Sequence, residues 1–159
     1  MEEALKEAIY RQREDIARLL HEPLASLAGA CIAAWDDREG LNEALTAGFR
    51  GIPHCSCLFV VNEAGIQVSD NVTPRGVEPG HLGRDRSHRP YMREAVPAWG
   101  FLLSDAYVSL VSRRPSLTAL HVLRTEERLL GYVGAGFDLR NLPVTARLYE
   151  EPAHWLQVK

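Results

Sequence analysis

Apolar side chains recur every three or four positions through the first 35 residues, with charged side chains between them. This spacing predicts a long amphipathic helix. Its apolar stripe consists of Leu5, Ile9, Ile16, Leu19, Leu20, Leu24, Leu27, Cys31, Ile32 and Trp35. Pro23 interrupts the helix, and because proline lacks a backbone N–H we expect either two helices or one kinked near His21 and Glu22. The stripe exceeds what a small sheet needs, so we expect its N-terminal half to pack on a second copy of the chain.

A second, shorter helix follows. Asp36 or Asp37 can cap its first turn, because a carboxylate at that position accepts from the free N–H groups. Its inner face carries apolar residues four positions apart, at Leu41, Leu45 and Phe49. Gly51 is expected to end the helix in the left-handed conformation.

After Pro53 the pattern changes to one typical of strands. Residues 55–61 are short, β-branched or aromatic, residues 62–65 read as a turn, and residues 66–69 alternate apolar and polar, which together predict a β-hairpin. The stretch 70–85 is rich in glycine and proline and predicts an irregular loop. Loops of this length in compact domains are often functional.

The second half of the chain predicts one short helix and three strands. The helix covers 89–96, with Pro90 in its first turn and Pro97 ending it. The strands are expected at 99–104, 116–123 and 129–139. Gly131, Gly134 and Gly136 in the last strand leave room for a helix or a ligand to come close.

Strands joined by short turns pair antiparallel, so these elements predict one α+β domain over residues 1–159. Its N-terminal helices (1–50) would cover one face of a PAS-like antiparallel sheet of about five strands. The sheet and a pocket would occupy 54–142, with the short helix in the loop over the pocket, and 143–159 would form a tail.

Composition narrows the class of partner. The chain has 18 basic and 21 acidic residues and a net charge of −3, so it lacks the basic excess that nucleic-acid binding requires. No apolar run approaches the roughly 20 residues of a membrane helix, and the acidic start differs from a signal peptide. We therefore expect no membrane segment and, with three free cysteines, a cytoplasmic location.

Motifs for catalysis or metal binding were sought along the whole chain. His54, Cys55 and Cys57 lack the second pair of ligands that a closed zinc site needs, so no metal site is expected. The glycines from Gly131 to Gly136 lie within a strand, where a dinucleotide fingerprint would need a strand-to-helix turn. With no paired nucleophile and base, we expect neither an enzyme nor a cofactor.

Taken in order, these elements resemble the Cache superfamily, the PAS-like (PDC-type) sensor domains of bacterial chemoreceptors and kinases. The likeness rests on the long N-terminal helices, the hairpin, and the segments Asp85–Tyr91, Leu103–Ser109, Pro115–Thr118 and Gly131–Leu139. It implies a non-catalytic signalling domain that binds a small anionic metabolite, such as a carboxylate, between the sheet and the loop, and signals through its N-terminal helices. Because such domains are usually flanked by membrane helices, a periplasmic location is the alternative.

The resemblance also implies roles for five residues. Arg89 and Tyr91 stand where an arginine and an aromatic residue clasp the carboxylate of the ligand. Tyr107 and Asp138 match residues that hold an ammonium group. Ser109 replaces a second aspartate of that group, so an uncharged or hydroxylated acid fits as well as an amino acid.

Simpler structural interpretations stand beside these roles. Arg89 could pair with Asp70 or Asp85 while Tyr91 fills the core, and Asp138 could cap a helix that follows it. The cluster Arg84, Asp85 and Arg86 is interpreted as solvated loop charge, as are Arg113 and Arg114. As a whole, the chain could instead be a dimerising interaction scaffold with a vestigial pocket. Under either function we expect a homodimer formed through the N-terminal helix.

Overall fold

The computed structural model describes residues 2–93, 100–104, 107–108, 114–143 and 145–146. Within these ranges two helices pack on one face of an antiparallel sheet, and a short third helix lies in a loop on the other side. The architecture confirms the expected α+β class with a PAS-like layout.

Helix α1 runs unbroken from Glu2 to Ala33 and contains Pro23, so the two-helix alternative is wrong. Its buried stripe repeats mainly every four residues, at Ala8, Gln12, Ile16, Leu20, Leu24, Leu27, Ala28 and Cys31. Leu19, which we placed on the stripe, is 56% exposed. Because the stripe is buried as far back as Ala8, the N-terminal half of α1 already packs within its own chain.

One 18-residue window within Glu3–Ala33 reaches a mean hydropathy of 1.2, which makes α1 long and apolar enough to cross a membrane by length and composition alone. This differs from the expectation that no segment would qualify. The apolar side chains responsible include Leu20, Leu24 and Leu27, which are buried in the main core. A helix that covers a sheet passes the same test.

Helix α2 spans Arg38–Phe49, with Asp37 at its N-cap position but without a capping side-chain hydrogen bond. Leu41 and Leu45 are buried as expected. The predicted role of Gly51 is wrong, because the helix ends at Arg50 with a right-handed φ of −65° and Gly51 has no positive φ. The left-handed residue near α2 is instead Asp36, at φ 72°, in the turn that precedes it.

The sheet contains seven described strands, two more than expected. They are β1 Cys57–Asn62, β2 Asn71–Thr73, β3 Gly76–Glu78, β4 Phe101–Leu103, β5 Tyr107–Val108, β6 Pro115–Arg124 and β7 Leu129–Asp138. The order is β3-β2-β1-β7-β6-β4, with β5 beside β6. The short helix α3 spans Pro90–Arg93, and one 3₁₀ turn follows β7 at Leu139–Asn141.

The predicted partner of β1 at 66–69 does not form a regular strand. It meets β1 through an isolated bridge between Val61 and Gln67 and a bond from the Val68 N–H to the Val60 carbonyl. The Val60 N–H then donates to the Ser69 hydroxyl at 2.9 Å. Because a side chain takes the place of a backbone acceptor, the ladder stops there. The chain continues into the β2–β3 hairpin, inside the region predicted to be irregular.

Successive side chains of β1 and β7 lie on opposite faces of the sheet. Leu58 and Val60 belong to the core that contains α1 and α2, whereas Phe59 and Val61 form a second cluster with Tyr91 and Leu120. The glycines of β7 allow close packing between the strands. A Cβ at Gly131 would lie 2.0 Å from the Val61 carbonyl oxygen, and one at Gly134 would lie 2.3 Å from the Phe59 ring.

Candidate ligand-binding site

A cavity of about 490 Å³ opens on the Phe59 side of the sheet. Strands β1, β6 and β7 form one wall, the β2–β3 hairpin forms another, and Arg86 and Tyr107 complete the lining. This volume lies within the usual range of small-molecule sites, roughly 300–1,000 Å³. A second cavity of about 250 Å³ lies beside α1, where the charged Asp15 and Arg18 pair with each other. The larger cavity presents a buried positive charge that no carboxylate of the described residues pairs with.

That charge belongs to Arg86, which is 5% exposed. Its Nε donates to Gln67 Oε1 at 2.7 Å, its Nη1 to Tyr91 Oη at 3.0 Å, and its Nη2 to Asn71 Oδ1 at 3.2 Å. The guanidinium carbon lies 4.0 Å from the centre of the Phe59 ring, a cation–π contact. Three neutral hydrogen-bond acceptors and an aromatic face therefore hold the side chain in place.

No carboxylate of the described residues forms an ion pair with Arg86. A guanidinium has five N–H donors, so after three bonds each terminal nitrogen keeps one N–H without a partner in the described chain. A buried cation without a counter-ion is costly, by several kcal/mol even after relaxation. An anion entering the cavity would remove that cost.

Tyr107 and Thr118 form a second polar group in the cavity wall. The Tyr107 hydroxyl is hydrogen-bonded to Thr118 Oγ1, and the Thr118 N–H donates to Ser104 Oγ at 3.0 Å. Burial raises the pKa of Tyr107 to about 12. The phenol therefore stays neutral at physiological pH and remains able to donate.

Arg89 and Tyr91 occupy different depths. Tyr91 is 2% exposed, and its ring centre lies 5.9 Å from that of Phe59 and 5.7 Å from that of Tyr107. Arg89 is half-buried, and its guanidinium makes no hydrogen bond or ion pair with the described residues. Its charge, like that of Arg86, acts to lower the pKa of Tyr107, although burial dominates. Neither Arg89 nor Tyr91 is among the residues that line the cavity.

The pairing of Arg89 with Asp70 or Asp85 is wrong. Asp70 accepts from Asn42 Nδ2 at 2.9 Å and lies 3.7 Å from Arg38 Nε. Asp85 instead accepts from the backbone N–H and the hydroxyl of Ser87. Asp70 thus connects the segment before β2 to helix α2, and Asp85 stabilises its own turn.

Asp138 is 6% exposed, and both of its oxygens are engaged. Oδ1 accepts from the Arg140 N–H at 2.9 Å, which confirms that Asp138 caps the turn that follows, and Oδ2 accepts from Arg114 Nη1 at 3.0 Å. Arg114 is therefore not simply solvated charge. Asp138 is not among the residues lining the cavity, and Ser109 and Arg113 lie outside the described residues.

The interpretation of Arg86 as solvated loop charge is wrong, because the side chain is 5% exposed and lines the cavity. Its partners Gln67 and Asn71 lie 19 and 15 positions away, so no local pattern reveals the contact. The alternation in residues 66–69 predicts that polar Gln67 faces solvent, so the sequence carried no signal of its burial. Gln67 is 1% exposed.

Cys57 also lines the cavity, and burial raises its pKa to about 11. Its thiol is therefore a neutral, weakly polar part of the wall. Among the residues that the structure describes, no group of three or more histidine, cysteine, aspartate or glutamate side chains is placed to hold a metal ion.

No protein-family model and no curated protein sequence matches the chain. Several solved structures match the chain in fold. An extracellular ligand binding receptor from Desulfohalobium retbaense DSM5692 superposes with a TM-score of 0.66 at 14% identity, covering 87% of this chain and 25% of that one. The sensory domain of the Campylobacter jejuni chemoreceptor Tlp3 with isoleucine bound gives 0.65 at 13% identity, covering 87% and 58%.

The ligand-binding domain of the Pseudomonas aeruginosa PAO1 amino-acid chemoreceptor PctC in complex with GABA gives 0.61 at 15% identity, covering 87% and 64%. The chain has the fold of a chemoreceptor sensory domain. The resemblance to Cache-type sensors is thereby confirmed for the fold, which is what identities this low establish. The chain spans from a quarter to less than two thirds of the length of these three structures.

Proposed function

We propose that this domain is a non-catalytic sensor that binds a small carboxylate-bearing metabolite in the cavity beside Arg86. One observation carries the proposal: a buried cation without a counter-ion among the described residues lines a cavity of about 490 Å³ and keeps one N–H on each terminal nitrogen without a described partner. Paired N–H groups match the two oxygens of a carboxylate. The comparison structures with bound isoleucine and GABA, which both carry a carboxylate, support this choice of ligand.

This proposal adds Arg86 to the five residues assigned by the resemblance and changes the roles of three of them. Arg86 grips the carboxylate, Arg89 adds a second positive charge from its half-buried position, and Tyr91 positions Arg86 through its hydroxyl. Tyr107 contributes a neutral donor. Contacts of Ser109 and Asp138 with the ligand remain predictions from the resemblance.

A cavity-filling variant tests whether the ligand occupies this space. A Cβ at Gly136 would have no neighbour closer than 3.8 Å, and Gly136 lines the cavity, so Gly136→Val adds bulk there without a clash at its Cβ. We expect calorimetric titration of the wild type against a panel of small carboxylates to identify binders. The variant should bind them at least about tenfold more weakly. Its melting temperature without ligand should stay close to that of the wild type.

Unchanged affinity in a folded Gly136→Val variant would place the binding site elsewhere. Failure of the wild type to bind any panel member, with no shift in melting temperature, would reject the sensor function altogether.

A hydrogen-bonded path connects this cavity to α1 and supports our proposal that the signal leaves through that helix. Arg13 of α1 donates to the carbonyls of Leu103 and Ser104, each at 3.0 Å. Ser104 exchanges bonds with the backbone of Thr118, whose hydroxyl contacts Tyr107 in the cavity wall. A ligand that moves Tyr107 would therefore displace the backbone that Arg13 holds.

The Arg13→Gln variant tests this path. With the tightest panel ligand, we expect wild-type protein to change its amide hydrogen exchange in the N-terminal half of α1, and the variant to lose most of that change. Its affinity should differ by less than about threefold, because Arg13 does not line the cavity. Arg11→Gln, which alters an exposed neighbour on the same helix, is the control. An undiminished exchange response in Arg13→Gln would exclude this route.

The open cavity argues against the alternative of a scaffold with a vestigial pocket, since a vestigial pocket would be filled. Dimerisation through α1 stays a prediction, and the exposed Tyr10 and Leu19 of that helix are available for it. For location we favour the periplasmic alternative over the cytoplasm, because the comparison structures include an extracellular receptor and chemoreceptor sensory domains.

A further inference from the structure

The polar lining of the cavity is dominated by hydroxyl groups. The Ser56 hydroxyl donates to the Gly136 carbonyl at 2.9 Å, and the Ser116 hydroxyl donates to the Arg114 carbonyl at 2.9 Å. Both serine hydroxyls therefore offer lone pairs, and not hydrogens, to a bound ligand. The Tyr107–Thr118 pair shares one hydrogen between its two oxygens and keeps the other hydrogen for a third group. Such a wall can both donate to and accept from a neutral hydroxyl.

Negative charge is scarce in the same lining. Glu78 is the one carboxylate among the described lining residues, and it lies 3.9 Å from Arg75 Nη2 with its side chain 40% exposed. The nearby Asp138 is engaged by Arg114 and by the Arg140 N–H. A ligand ammonium group would thus be desolvated close to Arg86, with only the partly exposed Glu78 as a carboxylate among the described lining residues. An unpaired buried charge costs far more than a hydroxyl that finds a hydrogen-bond partner.

We infer that the ligand is a hydroxycarboxylate without an ammonium group, with its carboxylate on Arg86 and its hydroxyl on the Tyr107–Thr118 pair. This inference rests on the proposed function and adds the class of the substituent beside the carboxylate. Thr118 is then the residue that recognises the hydroxyl group of the ligand.

Two series of acids that differ in one substituent test the inference by calorimetry on the wild-type chain. They are propionate, lactate and alanine, and succinate, malate and aspartate, each chiral acid as its L enantiomer. In at least one series the hydroxy acid should bind at least tenfold more tightly than both the amino acid and the unsubstituted acid. Thr118→Val should weaken binding of the hydroxy acid at least about tenfold and binding of the unsubstituted acid by a clearly smaller factor. Thr46→Val, the same change at an exposed site on α2, should have no effect.

The outcomes separate the inference from the function on which it rests. Tightest binding of the amino acid, or of the unsubstituted acid, would overturn the inference and leave a carboxylate sensor in place. An equal loss of affinity for all members in Thr118→Val would also overturn it, because Thr118 would then not read the hydroxyl. No binding by any acid of either series or of the wider panel would reject the proposed function and the inference together.

Discussion

Replacing Arg86 with glutamine is expected to weaken carboxylate binding about 100-fold. The variant removes the charge and the two N–H groups that have no partner among the described residues, which we propose bind the carboxylate. Hydrogen bonds to charged groups contribute about 1.5–3 kcal/mol each. Two such bonds correspond to about 3 kcal/mol or more, and each 1.4 kcal/mol is a factor of ten in the dissociation constant. Titration of the variant with the tightest ligand of the wild type measures the loss.

Arg84→Gln is the matched control, because it makes the same change of charge two residues earlier at an exposed position. We expect it to alter affinity by less than twofold, since exposed charges at this distance are screened by solvent and salt. A parallel Arg89→Gln variant distinguishes the two arginines. If Arg89→Gln loses binding while a folded Arg86→Gln retains it, the carboxylate belongs to Arg89, as the resemblance alone implies.

Gly131→Ala should destabilise the domain by about 3 kcal/mol or more, at the upper end of overpacking effects. The new Cβ would lie 2.0 Å from the backbone oxygen of Val61, where no side-chain rotation can relieve the clash. Relief requires β1 to move away from β7, although these strands are paired continuously from Cys57 to Asn62. For a chain of this size each kcal/mol lowers the melting temperature by roughly 2–4 °C. Thermal unfolding should therefore shift downward by about 10 °C.

Gly136→Ala tests the same strand without the clash, because its nearest neighbour would lie 3.8 Å away. We expect its melting temperature to stay within about 2 °C of the wild type. Equal stability of the two variants would show that β1 and β7 are not paired in the described register.

Periodicity was sufficient to predict the long elements. Helices α1 and α2 each bury one face over several turns, and strands β6 and β7 are ten residues long with mostly buried side chains, so their patterns extend far enough to be recognised. The β2–β3 hairpin was missed because each strand has three residues, and Val77 in β3 is 46% exposed. Pairing with β1 through Leu58 and Val72 stabilises it, and such a contact leaves no local pattern.

For the candidate site too, one part could be predicted from the sequence and another could not. The resemblance assigns Tyr107 to the ligand site, and the structure puts Tyr107 in the cavity wall. Its contact with a ligand stays a prediction. The burial of Arg86 depends on Gln67, Asn71 and Phe59, which come together through the turn before β2 and through β1. A charged residue between Asp85 and Ser87 looks like loop charge until those partners are in place. Its role is therefore a property of the tertiary structure.

Tyr91 connects the short helix α3 to Arg86, the residue that we propose binds the carboxylate, since its hydroxyl accepts from Arg86 while its ring packs near those of Phe59 and Tyr107. A displacement of α3 must then change the geometry of Arg86, and a ligand that fixes Arg86 must also fix α3. Thermodynamic linkage makes these two effects equal in free energy. A molecule that binds to the outer surface of α3 would thus lower or raise the affinity for the ligand without entering the cavity.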